Sequence, residues 1–246
     1  MAQQLPPSAD ELPAAGERAF IDLHCHTRGS FDCLSDPATV MRAAASRGLT
    51  HLAITDHDRI DGALAARDAA PDGLTVIIGQ EVRTTTGDLI ALYVERPIPP
   101  GLTPAEAAGR IREQHGLVGL AHPFDRFRAG AGRRGWEAEL EALIPQLDFV
   151  EIWNARLLAG GGNQQAAEFA HLHKLPGVAV SDAHTVVEVG VAYTILDGMI
   201  TSAADLRAGL ATAQLVTARG SRLVRAAMPF TKVIQRLRGN RRVSSA

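Results

Sequence analysis

The chain has 246 residues, of which 46% are hydrophobic and 21% charged, enough apolar material to bury a large core. That excludes a disordered chain or a stapled mini-protein, and a net charge of -2 without any apolar run near ~18 residues argues against a membrane span. Cys25 and Cys33 are the only cysteines, too few for a disulfide framework, and they favour a reducing, cytoplasmic setting.

Residues 1–19 hold Pro6, Pro7 and Pro13 and lack the basic start and apolar stretch of a secretory signal, so they read as a flexible leader. From Phe20 onward short apolar runs alternate with longer amphipathic ones. Phe20–Leu23, His51–Thr55, Thr75–Gly79, Leu117–Ala121, Phe149–Trp153 and Val178–Ser181 predict strands. Between them, Pro37–Arg47 predicts a helix, with Asp36 as N-cap, proline at the first helical position and Gly48 beyond its end. Further helices are predicted over Thr103–His115, Trp136–Leu143, Asn163–His173 and Ala203–Leu210. This order gives parallel β/α units in one sheet or barrel, while Gly87–Val94, close behind the third strand, reads as a hairpin partner. Gly160–Gly162 and the Arg- and Gly-rich loop Arg126–Gly135 are expected at a pocket mouth.

The end of the chain differs in charge. After Asp205 no acidic residue occurs, while nine Arg or Lys follow from Arg207 to Arg242, so residues 1–205 carry -2 - 9 = -11. Such asymmetry suits attraction to nucleic acid or another anionic surface, but the simpler reading is a solvated terminal helix, Leu223–Leu237, with a disordered Arg-rich stub.

Five strand ends carry groups able to do chemistry. In Asp22-Leu23-His24-Cys25-His26-Thr27, residues two apart share a face, so Asp22, His24 and His26 line up and Cys25 points away. Such a histidine pair is either a metal site or a pair of hydrogen-bonded surface groups. Thr55-Asp56-His57-Asp58 follows the second strand, where either aspartate could instead cap a helix near Asp61. Glu81 ends the third strand and is either an exposed carboxylate or a bridge between cations. His122 follows the next, and Ser181-Asp182-Ala183-His184 the last. Each signal is weak alone, but in a parallel β/α architecture all these ends open on one face. His51, His115, His171 and His173 fall elsewhere and are assigned to packing or helix surfaces.

As an ordered set, these motifs resemble the polymerase and histidinol phosphatase (PHP) family over roughly Phe20 to Gln214. The resemblance implies a distorted (β/α)7 barrel, an α/β fold with its metal site at the C-terminal ends of the strands. It implies a catalytic domain, here 20–221, which leaves the residues 222–246 as the basic tail read from the charge pattern. It further implies two or three divalent ions (Mn, Zn or Fe) and metal-dependent phosphoesterase activity. Carried over position by position, His24, His26, Glu81 and Asp182 resemble a first site, Glu81 and His122 a second, and Asp32, His57 and His184 a third. The family often has histidine at the position of Asp32. A further ligand of the second ion usually comes from the strand ending Glu151-Ile152-Trp153-Asn154, where no histidine occurs, so that either Glu151 replaces it or water completes the ion.

Divalent ions a few Å apart can bring the pKa of a water from 15.7 toward ~7 and clamp phosphate oxygens, so the expected nucleophile is water. Arg59, Arg83 and Arg156 are the expected phosphate-binding arginines, and Asp58 the expected acid for the leaving alkoxide. The expected substrate is a phosphate monoester of a small metabolite or nucleotide. Only 41 positions separate Glu81 from His122, which leaves no room for an inserted substrate domain. A nuclease is the alternative, motivated by the tail and opposed by an aromatic content of only 4%.

Overall fold

A computed structural model describes residues 18–125, 136–157 and 161–244. The leader up to residue 17, the expected mouth loop 126–135 and Gly160 lie outside them. Among the described residues nine strands form one sheet: β1 Arg18–Cys25, β2 His51–Ile54, β3 Thr75–Arg83, β4 Asp88–Leu92, β5 Leu117–Leu120, β6 Phe149–Asn154, β7 Gly177–Val180, β8 Tyr193–Asp197 and β9 Gln214–Val216. The helices are α1 Pro37–Ser46, α2 Asp61–Asp68, α3 Pro104–Arg112, α4 Trp136–Leu143, α5 Gly162–Leu172, α6 Ala203–Gly209 and α7 Arg222–Leu237.

Spatial order runs β7-β6-β5-β4-β3-β2-β1-β8-β9. The sheet curls until the end of β7 returns to β1, with a parallel bridge from Cys25 to Ala183 and His26 N–H donating to the Ala183 carbonyl at 2.9 Å. The expected barrel is therefore present as a nearly closed one. Its departures from pure β/α alternation are antiparallel: β4 runs back along β3 as the hairpin partner expected there, and β8 and β9 extend the sheet beyond β1. Neither β8 nor β9 is among the expected strands. β1 begins at Arg18, two residues early, because Arg18 and Ala19 pair with Asp197 and Leu196 of β8.

Local chemistry explains most elements. Asp36 caps α1 by accepting from Thr39 N–H, and Thr103 and Glu106 form a reciprocal capping box at α3. By contrast α2 follows Ile60 with no side-chain cap, and Asp61 in its first turn is the start signal it carries. Val40, Met41 and Ala44 of α1 pack with Leu52 and Ile54 of β2, while Ala107, Ala108 and Ile111 of α3 pack with Val118 and Leu120 of β5. Ile77, Ile90, Leu117, Phe149 and Val178 gather in another cluster. Each fully buried side chain of this size contributes about 1.5–3 kcal/mol. A Cβ at Gly119 would stand 2.2 Å from Phe149 Cζ, so this glycine makes room for the ring on the neighbouring strand.

The basic tail is not a free stub. Within α7, Thr231 Oγ1 donates to the Asp32 carbonyl at 2.9 Å, and Gln235 Nε2 donates to the carbonyls of Arg28, Ser30 and Cys33. Beyond α7, Asn240 Nδ2 donates to Arg28, Gly29 and Ser30, and Arg83 Nη2 donates to the Val243 carbonyl at 2.9 Å. The tail is therefore strapped across the loop that carries Asp32. Gln235→Ala would leave buried carbonyls without that donor, at a cost of about 1–3 kcal/mol. Chemical denaturation is expected to show that loss, and an unchanged midpoint would mean the strap adds nothing.

Candidate metal centre

Five histidines and two further carboxylates gather in the cage that contains Glu81. Its Oε1 lies 3.0 Å from His122 Nε2, and its Oε2 lies 2.9 Å from His57 Nδ1, 3.3 Å from His26 Nε2 and 3.4 Å from His24 Nε2. Asp182 Oδ1 closes the other side, 3.5 Å from His26 Nε2 and 3.7 Å from His24 Nε2. Asp32 Oδ1 stands 3.5 Å from His57 Nε2 and 3.4 Å from His184 Nε2. All eight expected ligands are thus brought together, and all are buried.

The backbone turns inward to achieve this. Asp58, His122 and Asp182 have φ of 57°, 26° and 49°, in the left-handed range that non-glycine residues seldom occupy and that functional sites often retain. In β1 the register against β2 shifts between Asp22 and Cys25, which breaks simple alternation. As a result Asp22 does not share the cage with His24 and His26. Its carboxylate instead accepts from the backbone N–H of Ser181 and Gly190 and ties the first and last motifs together. Cys25 joins the apolar cluster packed by α1, and both cysteines are free and buried.

Neither Asp56 nor Asp58 caps α2. Asp56 accepts from the backbone N–H and hydroxyl of both Thr27 and Ser30, fixing the loop that follows His26, and burial raises its pKa to about 6. A Cβ at Gly62 would lie 1.9 Å from its Oδ2, so the glycine is what lets α2 approach. Asp58 accepts from Arg83 N–H through Oδ1, and burial raises its pKa, which suits a group that holds a proton.

The three arginines separate. Arg156 is buried and lies against Asp182 Oδ1 at 3.5 Å and against His184 Nδ1, so it is part of the cage wall. Arg59 and Arg83 instead lie under the tail, at Asn240 and Val243. Arg242, one residue earlier than Val243, stands over the Phe31 ring at 5.3 Å, and that ring is 5.0 Å from His57.

Two further carboxylates surround the cage. Glu151 stands where the sequence allows a replacement ligand, but both its oxygens are engaged. Oε1 accepts from His24 Nδ1 at 2.6 Å, and Oε2 accepts from His122 N–H and Asn154 Nδ2. Such a carboxylate orients ligating histidines and keeps their far nitrogens available. Asp88 is not among the ligands expected from the motifs. It stands with Glu81 and His122 in a buried trio whose donor atoms all lie within 4.8 Å of one another. A signal for it does exist: Glu81 pairs with Ile90 across the β3–β4 hairpin, so alternation puts Asp88 on the face of Glu81.

The donor set fits divalent ions. His24, His26 and Glu81 form a second trio, and His26, His57 and His184 a third, by the same 4.8 Å limit. Asp32 Oδ1, Glu81 Oε2 and His184 Nε2 are buried yet make no hydrogen bond of acceptable geometry, an expensive arrangement unless a cation satisfies them. Burial, helped by Arg156, lowers the His184 pKa to about 4, and burial with His184 holds His26 well below the ordinary range, so both present neutral nitrogens. His57 differs: burial pulls it down, but Glu81 and Asp32 outweigh this and raise it to about 10. Without ions His57 is therefore protonated at neutral pH and must lose that proton to ligate. The affinity of its ion is expected to rise with pH, by up to about tenfold per unit below the raised pKa. Calorimetric titration of metal-free protein in buffers of different ionisation heat checks this, since proton release must accompany binding.

A family model described as "PHP domain" matches residues 22–130, and one described as "PHP-associated" matches 160–215. An uncharacterized protein of Methanocaldococcus jannaschii is 34% identical over 145 residues, which span 54% of this chain and 81% of that protein. The chain belongs to the PHP domain family. Membership makes it a hydrolase of phosphoric esters of the metal-dependent kind, in agreement with the resemblance carried by the strand-end motifs. A two-domain protein from Bacteroides vulgatus, described as containing a predicted PHP-like metal-dependent phosphoesterase, shares the fold. Its TM-score is 0.70 at 17% identity, over 85% of this chain and 68% of that one. The 3',5'-nucleoside bisphosphate phosphatase of Chromobacterium violaceum is 37% identical over 118 residues, 48% of this chain and 41% of that protein. Among the described residues no helix is long and apolar enough to cross a membrane.

Proposed function

We infer that this protein hydrolyses a phosphate monoester of a small metabolite or nucleotide, within a catalytic unit of residues 20–221 to which 222–246 is appended. The observation that carries the reading is the convergence of four imidazoles on the two oxygens of Glu81. His24, His26, Glu81 and Asp182 would hold one ion, Glu81, His122 and Asp88 a second, and Asp32, His57 and His184 a third, with Mn, Zn and Fe the metals suited to such donors. Bound there, the ions would supply Lewis acidity toward phosphate oxygens and acidify the attacking water.

The protein's own groups do the rest. Glu151 and Asn154 fix the orientations of His24 and Asp182, because Asn154 Nδ2 donates to both Glu151 and Asp182. Asp58, whose pKa burial raises, is the proposed acid for the leaving alkoxide. Arg59 and Arg83, whose guanidinium groups bond Asn240 and Val243 of the tail, are the proposed phosphate-binding groups, and Arg156 steadies Asp182 and His184. Two free cysteines accord with a cytoplasmic enzyme.

The test is a panel of phosphorylated metabolites and nucleotides assayed with Mn, Zn and Fe after metal removal. Metal-dependent release of phosphate from at least one monoester is the expected result. Cleavage of oligonucleotides in preference to every monoester would replace this reading by the nuclease one.

A further inference from the structure

We propose that α7 is a docking helix for an anionic lipid surface, with its apolar stripe in the interface and its arginines among the headgroups. Phe230, Val233, Ile234 and Leu237 are 71%, 58%, 37% and 83% exposed, although all four are large and apolar. At 3.6 residues per turn they fall within an arc of about 100°, a continuous face rather than scattered side chains. The protein covers a different side of the helix, since Thr231 and Gln235 are the residues hydrogen-bonded to the loop of Asp32. The stripe is thus presented outward by a helix whose opposite side is anchored.

Charge selects the occupant. Arg236, Arg238 and Arg241 are exposed beside the stripe and form no ion pair among the described residues, and Lys232 lies on the same helix. No acidic residue follows Asp205 in the chain. A second copy packing α7 against α7 would bring cations against cations around the apolar contact. Nucleic acid would satisfy the cations but leave Phe230, Val233 and Leu237 in water. A surface of anionic lipid satisfies both, because basic flanks meet the headgroups while the apolar side chains enter the acyl boundary.

The experiment is co-sedimentation of the full chain with vesicles of phosphatidylcholine alone or mixed with phosphatidylserine. Binding to the mixed vesicles is expected to exceed that to the neutral ones by about tenfold or more and to fall with added salt. The double variant Phe230→Ser/Leu237→Ser is expected to lose about tenfold of that binding, and Arg236→Glu/Arg241→Glu to lose the preference for anionic vesicles. These positions are exposed, so unchanged thermal unfolding accompanies either loss. No binding to mixed vesicles, equal binding to both kinds, displacement by short duplex DNA, or a dimer in light scattering that Phe230→Ser/Leu237→Ser dissolves would each overturn the proposal.

Discussion

Glu81→Gln is expected to lower metal-dependent phosphoesterase activity by about 10³-fold or more and to reduce the number of ions held. The substitution keeps the side chain's shape, so its effect isolates the charge and the second acceptor oxygen. In the structure that carboxylate meets His122 through Oε1 and His24, His26 and His57 through Oε2. An amide offers one oxygen in place of two and no charge, so the groups on one side of the bridge lose their partner. Several kcal/mol of charge stabilisation at the site correspond to the stated loss, since about 1.36 kcal/mol is tenfold in rate. Removing the charge also removes the first of the carboxylates that hold His57 raised, so proton release on metal binding should shrink in parallel. Metal content by mass spectrometry and turnover of a generic phosphate ester are the two readouts. Retention of both would show that Glu81 bridges nothing.

Much of this arrangement is legible because strand ends in a parallel β/α sheet share one face. Once Phe20–Leu23, His51–Thr55, Thr75–Gly79, Leu117–Ala121 and Val178–Ser181 are recognised as strands, the polar residues just beyond them must converge. What escapes such reading has specific causes. Alternation fails at Asp22 because the β1 ladder shifts register there, and no residue pattern announces that shift. The strand β8 escapes because it carries no chemistry at its end; its role is to cover the edge of β1. The strap of α7 escapes because Gln235 and Asn240 are ordinary polar residues whose partners are backbone carbonyls about two hundred positions away in the chain. A basic composition is readable there, but composition does not reveal which side of a helix faces the protein.

Asp88→Asn and Glu151→Gln should then behave differently, and the contrast decides which carboxylate ligates the second ion. Asp88 lies with Glu81 and His122 in one buried trio, and burial together with the Glu81 charge raises its pKa to about 6. A buried carboxylate beside another gains most from a cation that neutralises both. Glu151 is occupied already, by His24 Nδ1 on one oxygen and by His122 N–H and Asn154 on the other. Asp88→Asn is therefore expected to remove one ion from the saturated stoichiometry. Glu151→Gln should leave the stoichiometry intact and weaken affinity by about 10–100-fold, the usual consequence of losing a carboxylate that orients a ligating histidine. Equilibrium dialysis with metal counted per chain separates the two. If Glu151→Gln lost the ion and Asp88→Asn kept it, His24 would have to find its orientation elsewhere and Glu151 would return to the cation.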